Sequence, residues 1–287
     1  MGENTEFEII EFNPWSVTVR APSQADRAWN NGDWSGAEWN NAVTIPFNVC
    51  IEGRLENGCG GDFDTWIENR HQLALAFSAV EDAIQDVELR FLFGSREYVI
   101  FGRPRMVDPD SAWLQWVRAG GTSAACAFVA LDPLKYSGEL QIAGPTGLPV
   151  IIGGLCVPFC LPACINSELI SGQLELVNIG TANTGLFVRI DAGADGVVRP
   201  GFLLRRADGT VQSVSVNITL NPGEWLEIDT VKGTVLINGL PEANQRGVTD
   251  WNIDPYPLQP GVNLLRFTSG EPSDTATITV TYRHAWK

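Results

Sequence analysis

The stretch Phe128–Gly138, FVALDPLKYSG, decides how the rest of the sequence is read. Alternating apolar residues, Phe128 and Ala130, give the two-residue period of a half-buried strand. That period stops at Asp132-Pro133, where the proline removes a backbone donor and a ladder cannot continue. A lone Tyr136 follows, and glycine-rich text begins at Gly138. The patterns on the two sides differ in kind, so the stretch is a seam. The sequence predicts two domains, 1–137 and 138–287, in a mainly β chain: an N-terminal α+β unit followed by a β-sandwich.

Upstream of the seam, FEIIEF, WSVTVRA and VTIPFNVCIEGRLE alternate as strands do. WNNGDWSGAEWNNA, residues 29–42, reads as a polar loop with three tryptophans. From Asp64 to about Val80 the period changes. Trp66, Arg70, Leu73 and Phe77 fall on one helical face, and Asp64 or Thr65 is placed to cap the start. VELRFLFG and REYVIFGRPRMV share a Gly-Ser turn and predict a hairpin, and SAACAFVALD supplies a further strand.

Downstream there is no amphipathic helical pattern. ELQIAG, LELVNIG, LFVRIDAG, GFLLRRADG, SVSVNITL, EWLEIDT, GTVLING, NLLRFTSG and ATITVTYRHAW are separated by turn residues. NPGEW and QPGVN each put Pro before Gly, as a type II turn requires. Short strands spaced this regularly predict a sandwich or jelly roll. No internal repeat points to a solenoid.

Charge and composition exclude several functions. The net charge is −15, with 20 acidic against 10 basic residues up to Ser137 and 14 against 9 after it. That excess opposes tight nucleic-acid binding, which needs clustered Lys and Arg. The acidic, amphipathic start MGENTEFEIIEF has no signal- or transit-peptide character, and no apolar run is long enough to cross a bilayer. Synthesis in a cytoplasm is expected. Cys156, Cys160 and Cys164 lie in a C-x3-C-x3-C spacing that matches no common zinc site, and both histidines are distant. They read as small apolar loop residues, and no metal or cofactor is expected. Cys50 and Cys59 flank a turn, and pairing between them is left open.

Catalytic patterns are missing. There is no G-x-S-x-G, no phosphate-binding glycine loop, and two histidines leave little for a Ser-His-Asp arrangement. Asp191 and Asp195 lack the rhythm of a calcium loop. Glu224, Glu227 and Asp229 are candidates for a glycosidase carboxylate pair, yet they alternate with Trp225, Leu226 and Ile228 as the solvated face of a strand does. No enzyme activity is expected. Trp225, Trp251, Tyr256 and Trp286 are candidates for stacking on sugars, with core packing the competing reading. Trp29, Trp34 and Trp39 sit in the polar loop, where aromatic side chains serve either as interface anchors or as the loop's own packing.

The ordered set ELRFLFGSREYVIFGRPRMV, FVALDPLKYS, IDTVKGTVLING, WNIDPYPLQPGVNLLRFTSG and ATITVTYRHAW resembles the distal tail proteins, or minor tail proteins, of long-tailed, siphovirus-type bacteriophages. The likeness runs from about Trp15 to Trp286 and is strongest to phages of actinobacteria. The A-x-DP-x-x-Y segment, the LQPGVN turn and the terminal YR-x-AW carry it together. The resemblance implies a virion tail-tip protein forming a homo-oligomeric ring, usually a hexamer, that joins the tail tube to the hub and baseplate. The N-terminal unit would build the ring and the C-terminal, galectin-like sandwich would project outward. Implied partners are further copies, tail tube protein, the hub protein and receptor-binding components, with DNA passing through the lumen unbound. An acidic channel would repel phosphate and suit that passage. Expected assembly residues are Trp29, Trp34 and Trp39, with Arg103 and Arg105 pairing across subunits. The alternative is a tail-tip protein that binds a host glycan through the sandwich.

Overall fold

The structure, a computed structural model, describes residues 7–15, 19–20, 25–26, 33–34, 39–52, 63–77, 86–108, 121–152, 168–170, 172–271 and 274–287. It is mainly β with several antiparallel sheets. Two compact units divide the chain, Met1–Leu134 and Lys135–Lys287.

Among the described residues, the first unit is built on strand pairs around one helix. Its strands are β1 (Phe7–Phe12), β2 (Val43–Glu52), β3 (Val87–Phe93), β4 (Arg96–Asp108) and β5 (Gly121–Ala130). β2 pairs with β5 without a register shift from Val43↔Ala130 to Glu52↔Gly121, and its other edge holds β1. β3 and β4 form the expected hairpin, Phe93 opposite Arg96, and residues 103–108 of β4 continue onto β5. Alternation along β2 buries Val43, Ile45, Phe47, Val49 and Ile51. Helix α1 (Phe63–Ala76) covers them with Trp66 and Leu73, and Phe77, just past its end, places its ring 5.3 Å from that of Phe47. Asn69 is buried on the same helix, and His71 is exposed. The helical period was therefore legible, and residues 78–80 of its expected span lie outside the described residues.

The segment read as a loop carries paired backbone instead. Asp33–Trp34 pairs with Ala25–Asp26, and Trp39–Asn40 pairs with Val19–Arg20. Both pairs are antiparallel and hold a common register. Polar, Asn/Gly-rich composition hid these two-residue strands from a reading based on apolar alternation.

The main strands of the second unit are β6 (Lys135–Ser137), β7 (Gln141–Gly147), β8 (Gln173–Asn178), β9 (Phe187–Ala192), β10 (Gly201–Arg205), β11 (Val211–Val216), β12 (Trp225–Asp229), β13 (Thr234–Ile237), β14 (Thr249–Asn252), β15 (Gly261–Thr268), β16 (Ala276–Tyr282) and β17 (Ala285–Trp286), beside short pairs such as Val150–Ile152 with Glu168–Ile170 and Val197–Val198 with Thr219–Leu220. One five-stranded sheet runs β7-β16-β9-β12-β13 and a second runs β8-β15-β10-β11-β14. Their inward residues share one core. Val188, Ile190, Leu226, Ile228, Ile278 and Val280 come from the first sheet. Phe202, Leu204, Val214, Val216, Leu265 and Phe267 come from the second. Each such side chain contributes about 1.5–3 kcal/mol on burial. An exposed ion pair such as Arg199–Asp250, at 3.9 Å, contributes about 0–1 kcal/mol, so the shared core dominates.

Turn chemistry agrees with the sequence. In NPGEW, Gly223 has φ 85° and Glu224 N donates to Asn221 O at 3.0 Å. After β13, Asn238 and Gly239 both have positive φ, 52° and 69°, and Leu240 N closes the turn on Ile237 O. Strand β14, Thr249–Asn252, escaped the sequence reading because Trp251 is the only apolar residue in TDWN. Cys59, Cys156, Cys160 and Cys164, with the pairing of Cys50 and Cys59, lie outside the described residues.

Candidate assembly site

The seam residues are stitched to the chain's last strand. β6 pairs antiparallel with β17, Lys135 opposite Trp286 and Tyr136 opposite Ala285. Just before them, Asp132 Oδ1 accepts from Leu134 N at 3.0 Å, an Asx turn that redirects the chain after β5. Ser137 N donates to His284 O at 2.9 Å, and His284 N donates to Ser137 Oγ at 3.1 Å. Arg283 Nη1 donates to Ser137 O at 2.7 Å and also to Gly138 O. Burial lowers the pKa of Lys135, which is 2% exposed.

The same end of the sandwich is fixed by buried polar groups. His284 Nδ1 accepts from Ile179 N at 3.3 Å, and its ring lies edge-on to Tyr282 and Trp286. The Tyr282 hydroxyl both donates to Val177 O and accepts from Val177 N, each at 3.1 Å. Its pKa is raised by burial, opposed by that accepted bond. Asn178 Nδ2 donates to Ala182 O and Leu258 O. In LQPGVN, Asn263 Nδ2 donates to Gln259 O at 2.8 Å and Oδ1 accepts from Ala207 N at 3.2 Å. Both asparagines are buried, where an unpaired amide would cost about 1–3 kcal/mol, so these loops are held in single arrangements. The YR-x-AW and LQPGVN motifs thus act as ties within the second unit. Sequence alone marked them but gave them no role, because their partners lie far along the chain.

The expected assembly residues are not gathered into one described cluster. Trp29 lies outside the described residues, and Trp34 and Trp39 are placed by their strand pairing alone. Arg103 and Arg105 stand two residues apart on β4, hence on one face. Arg103 Nε lies 3.4 Å from Asp86 Oδ1 within the chain. Arg105 is exposed and its Nη1 donates to Pro104 O at 2.9 Å.

The alternative sites find other uses for their residues. The Arg189 guanidinium lies 4.7 Å from the Trp225 ring centroid, and Trp225 Nε1 donates to Glu227 Oε1 at 3.0 Å. Arg246 covers Trp251 at 4.2 Å. These two tryptophans sit on different sheets, Trp286 is buried and Tyr256 half-buried, so they do not form one stacking platform. Glu224 Oε2 accepts from Asn221 N at 2.7 Å, and Asp229 Oδ1 accepts from Val231 N and Lys232 N. Asp191 pairs with Arg189 at 2.7 Å, and Asp195 N donates to Thr275 Oγ1 at 2.9 Å. Among the described residues no group of three or more His, Cys, Asp or Glu is arranged to hold a metal ion.

Comparison with known proteins adds a family match over part of the chain. Residues 179–286 match the family model of the siphovirus-type tail component, C-terminal domain. That span contains LQPGVN and YRHAW. No curated protein matches the sequence. Among solved structures, SPP1 Dit (gp 19.1), described as a paradigm of hub adsorption apparatus in Gram-positive infecting phages, is similar with a TM-score of 0.56 and 13% identity. The match covers 98% of this chain and 94% of that one. A chain of the phage p2 baseplate in its activated conformation with Sr is similar with a TM-score of 0.52, at 13% identity over 97% of this chain and 91% of that one. At these identities the two structures report on the fold, which extends over both units.

Proposed function

With a siphovirus-type tail component domain over residues 179–286 as premise, we propose that the chain is a distal tail protein, a structural subunit of the phage tail tip. The family match carries this reading, and the fold likeness to SPP1 Dit over 98% of the chain supports extending it to the first unit. The first unit forms a ring of copies, six by the sequence resemblance, that joins tail tube to hub and baseplate. The second unit projects outward as a jelly-roll, galectin-like sandwich. Further partners are the tube protein, the hub and receptor-binding components. Phage DNA transits the lumen, and the net charge of −15 suits passage without adhesion. The role is structural, without turnover. The host is a Gram-positive bacterium, an actinobacterium by the sequence resemblance, in whose cytoplasm the chain is made.

Native mass of the purified chain under reducing conditions tests the ring. A discrete closed multiple near six is expected across a wide concentration range. A monomer at every concentration would overturn self-closure.

A further inference from the structure

The first unit carries an apolar projection that its own core does not use. At the tip of the β3–β4 hairpin, Leu92 is 74% and Phe93 63% exposed, beside the two-residue Gly94-Ser95 turn. These are adjacent residues on a strand, so they point to opposite faces and a single underlying sheet cannot cover both. The tip is nevertheless fixed. Phe93 packs edge-on against Trp15 at 5.7 Å, Trp15 against Tyr98 at 5.5 Å, and Tyr98 stacks on Phe91 at 5.6 Å. Phe91 then meets Phe12, Phe12 meets Phe47, and Phe47 meets Phe77 beside α1. A ladder of rings therefore runs from the tip to the helix. A rigid aromatic anchor loses little entropy on docking, which is the property of an interface hot spot.

Beyond the far end of that ladder, α1 presents an exposed outer side. Asp64, Glu68, Gln72 and Leu75 fall at helical spacing on the outer side of α1, and Leu75 is 76% exposed. Charge separates the hairpin from the rest of this unit's sequence. Residues 86–108 carry four acidic and four basic side chains, whereas the other residues of 1–134 carry sixteen acidic and five basic. Two copies would repel across most of this unit, and the neutral hairpin is the surface that can approach an acidic neighbour.

We infer that Leu92 and Phe93 of one copy dock on the outer face of α1, at Leu75, of a second copy of this chain. Tip and helix are different surfaces, so the contact is head-to-tail and repeats until it closes a ring. This deepens the ring reading and rests on it.

The test uses the full chain in four forms: wild type, L92D/F93D, L75D, and Phe93 replaced by the photo-reactive p-benzoylphenylalanine. Native mass, circular dichroism and cross-linked peptides are read out. Both aspartate variants should keep the wild-type spectrum and melting temperature while association weakens at least tenfold. Irradiation should join the residue at 93 to a peptide from residues 63–77 of another copy. A wild-type ring that persists in L92D/F93D, or cross-links that map elsewhere, overturns the contact and leaves the ring standing. A wild-type monomer at every concentration overturns the ring, and this contact with it. Should an aspartate variant misfold, L92S/F93S replaces it, and the cross-link position decides independently.

Discussion

The two units bury apolar surface in different ways. In the second, two sheets face each other, and Phe202, Phe267, Ile190 and Ile278 are fully enclosed. Its loop ends are tied by Asn178, Asn263, His284 and Arg283. In the first, α1 covers the β2 face, and the aromatic chain that begins in this core ends in open water at Phe93. The second core is enclosed between its sheets, whereas the first leads to an exposed anchor, the surface on which the proposed contact rests.

One excision made in both units is the strongest way to break this contrast. Phe267→Ala removes a fully buried ring from β15 and should destabilise the second unit by about 3–5 kcal/mol, read by denaturant unfolding. Phe93→Ala removes an equal number of atoms from an exposed site and should stay within about 0.5 kcal/mol, while association falls. Equal losses would mean that Phe93 is a core residue and that the difference between the units is illusory.

A smaller effect is expected at the seam. Arg283→Met keeps the apolar stem but leaves the carbonyls of Ser137 and Gly138 without their charged donor. The cost should be about 1–3 kcal/mol. Amide exchange should accelerate first at residues 135–139 and 284–286, which share the β6–β17 pairing. Uniform acceleration throughout the second unit would show that Arg283 supports the whole sandwich instead of its first strand.

Which parts were legible follows from the range of the interactions. The α1 face of Trp66, Leu73 and Phe77, the alternation of β2 and the Pro-Gly turn at Gly223 are local, and the sequence displays them. Ser137 and Arg283 are 146 residues apart, and Arg189 and Trp225 belong to different strands, so periodicity carries no sign of either contact. Burial of Lys135 also ran against its residue type. The β3–β4 tip leaves a local trace: LRFLF ends on adjacent apolar residues, Leu92 and Phe93, where a half-buried strand should alternate. Trp29, Trp34 and Trp39 are conspicuous in polar text, but composition does not place an aromatic side chain.

The smallest effect concerns the loop end of the second unit, and it has a defined pH window. Asp208 Oδ1 accepts from the Thr210 hydroxyl at 2.6 Å and from Thr210 N at 2.8 Å, and Oδ2 accepts from Gln259 Nε2 at 2.7 Å. Gln259 returns the bond, its Oε1 accepting from Asp208 N at 3.1 Å. The Thr210 bonds, then Gln259 and the nearby Arg206 charge, favour the carboxylate and lower its pKa to about 2. An unfolded Asp titrates near 3.9. The folded value is the lower one, so the unfolded chain binds the proton first. The contribution is complete above about pH 4 and disappears as pH falls through about 2. Solvent screens this fully exposed group, so only the shape of the acid limb is diagnostic. Asp208→Asn should flatten that limb between about pH 4 and 2, with a small loss of stability at neutral pH equal to the amplitude removed from the limb. An identical acid limb in the variant would show that the Asp208–Gln259 tie does not hold this end of the sandwich, which would then be less self-contained than its core implies.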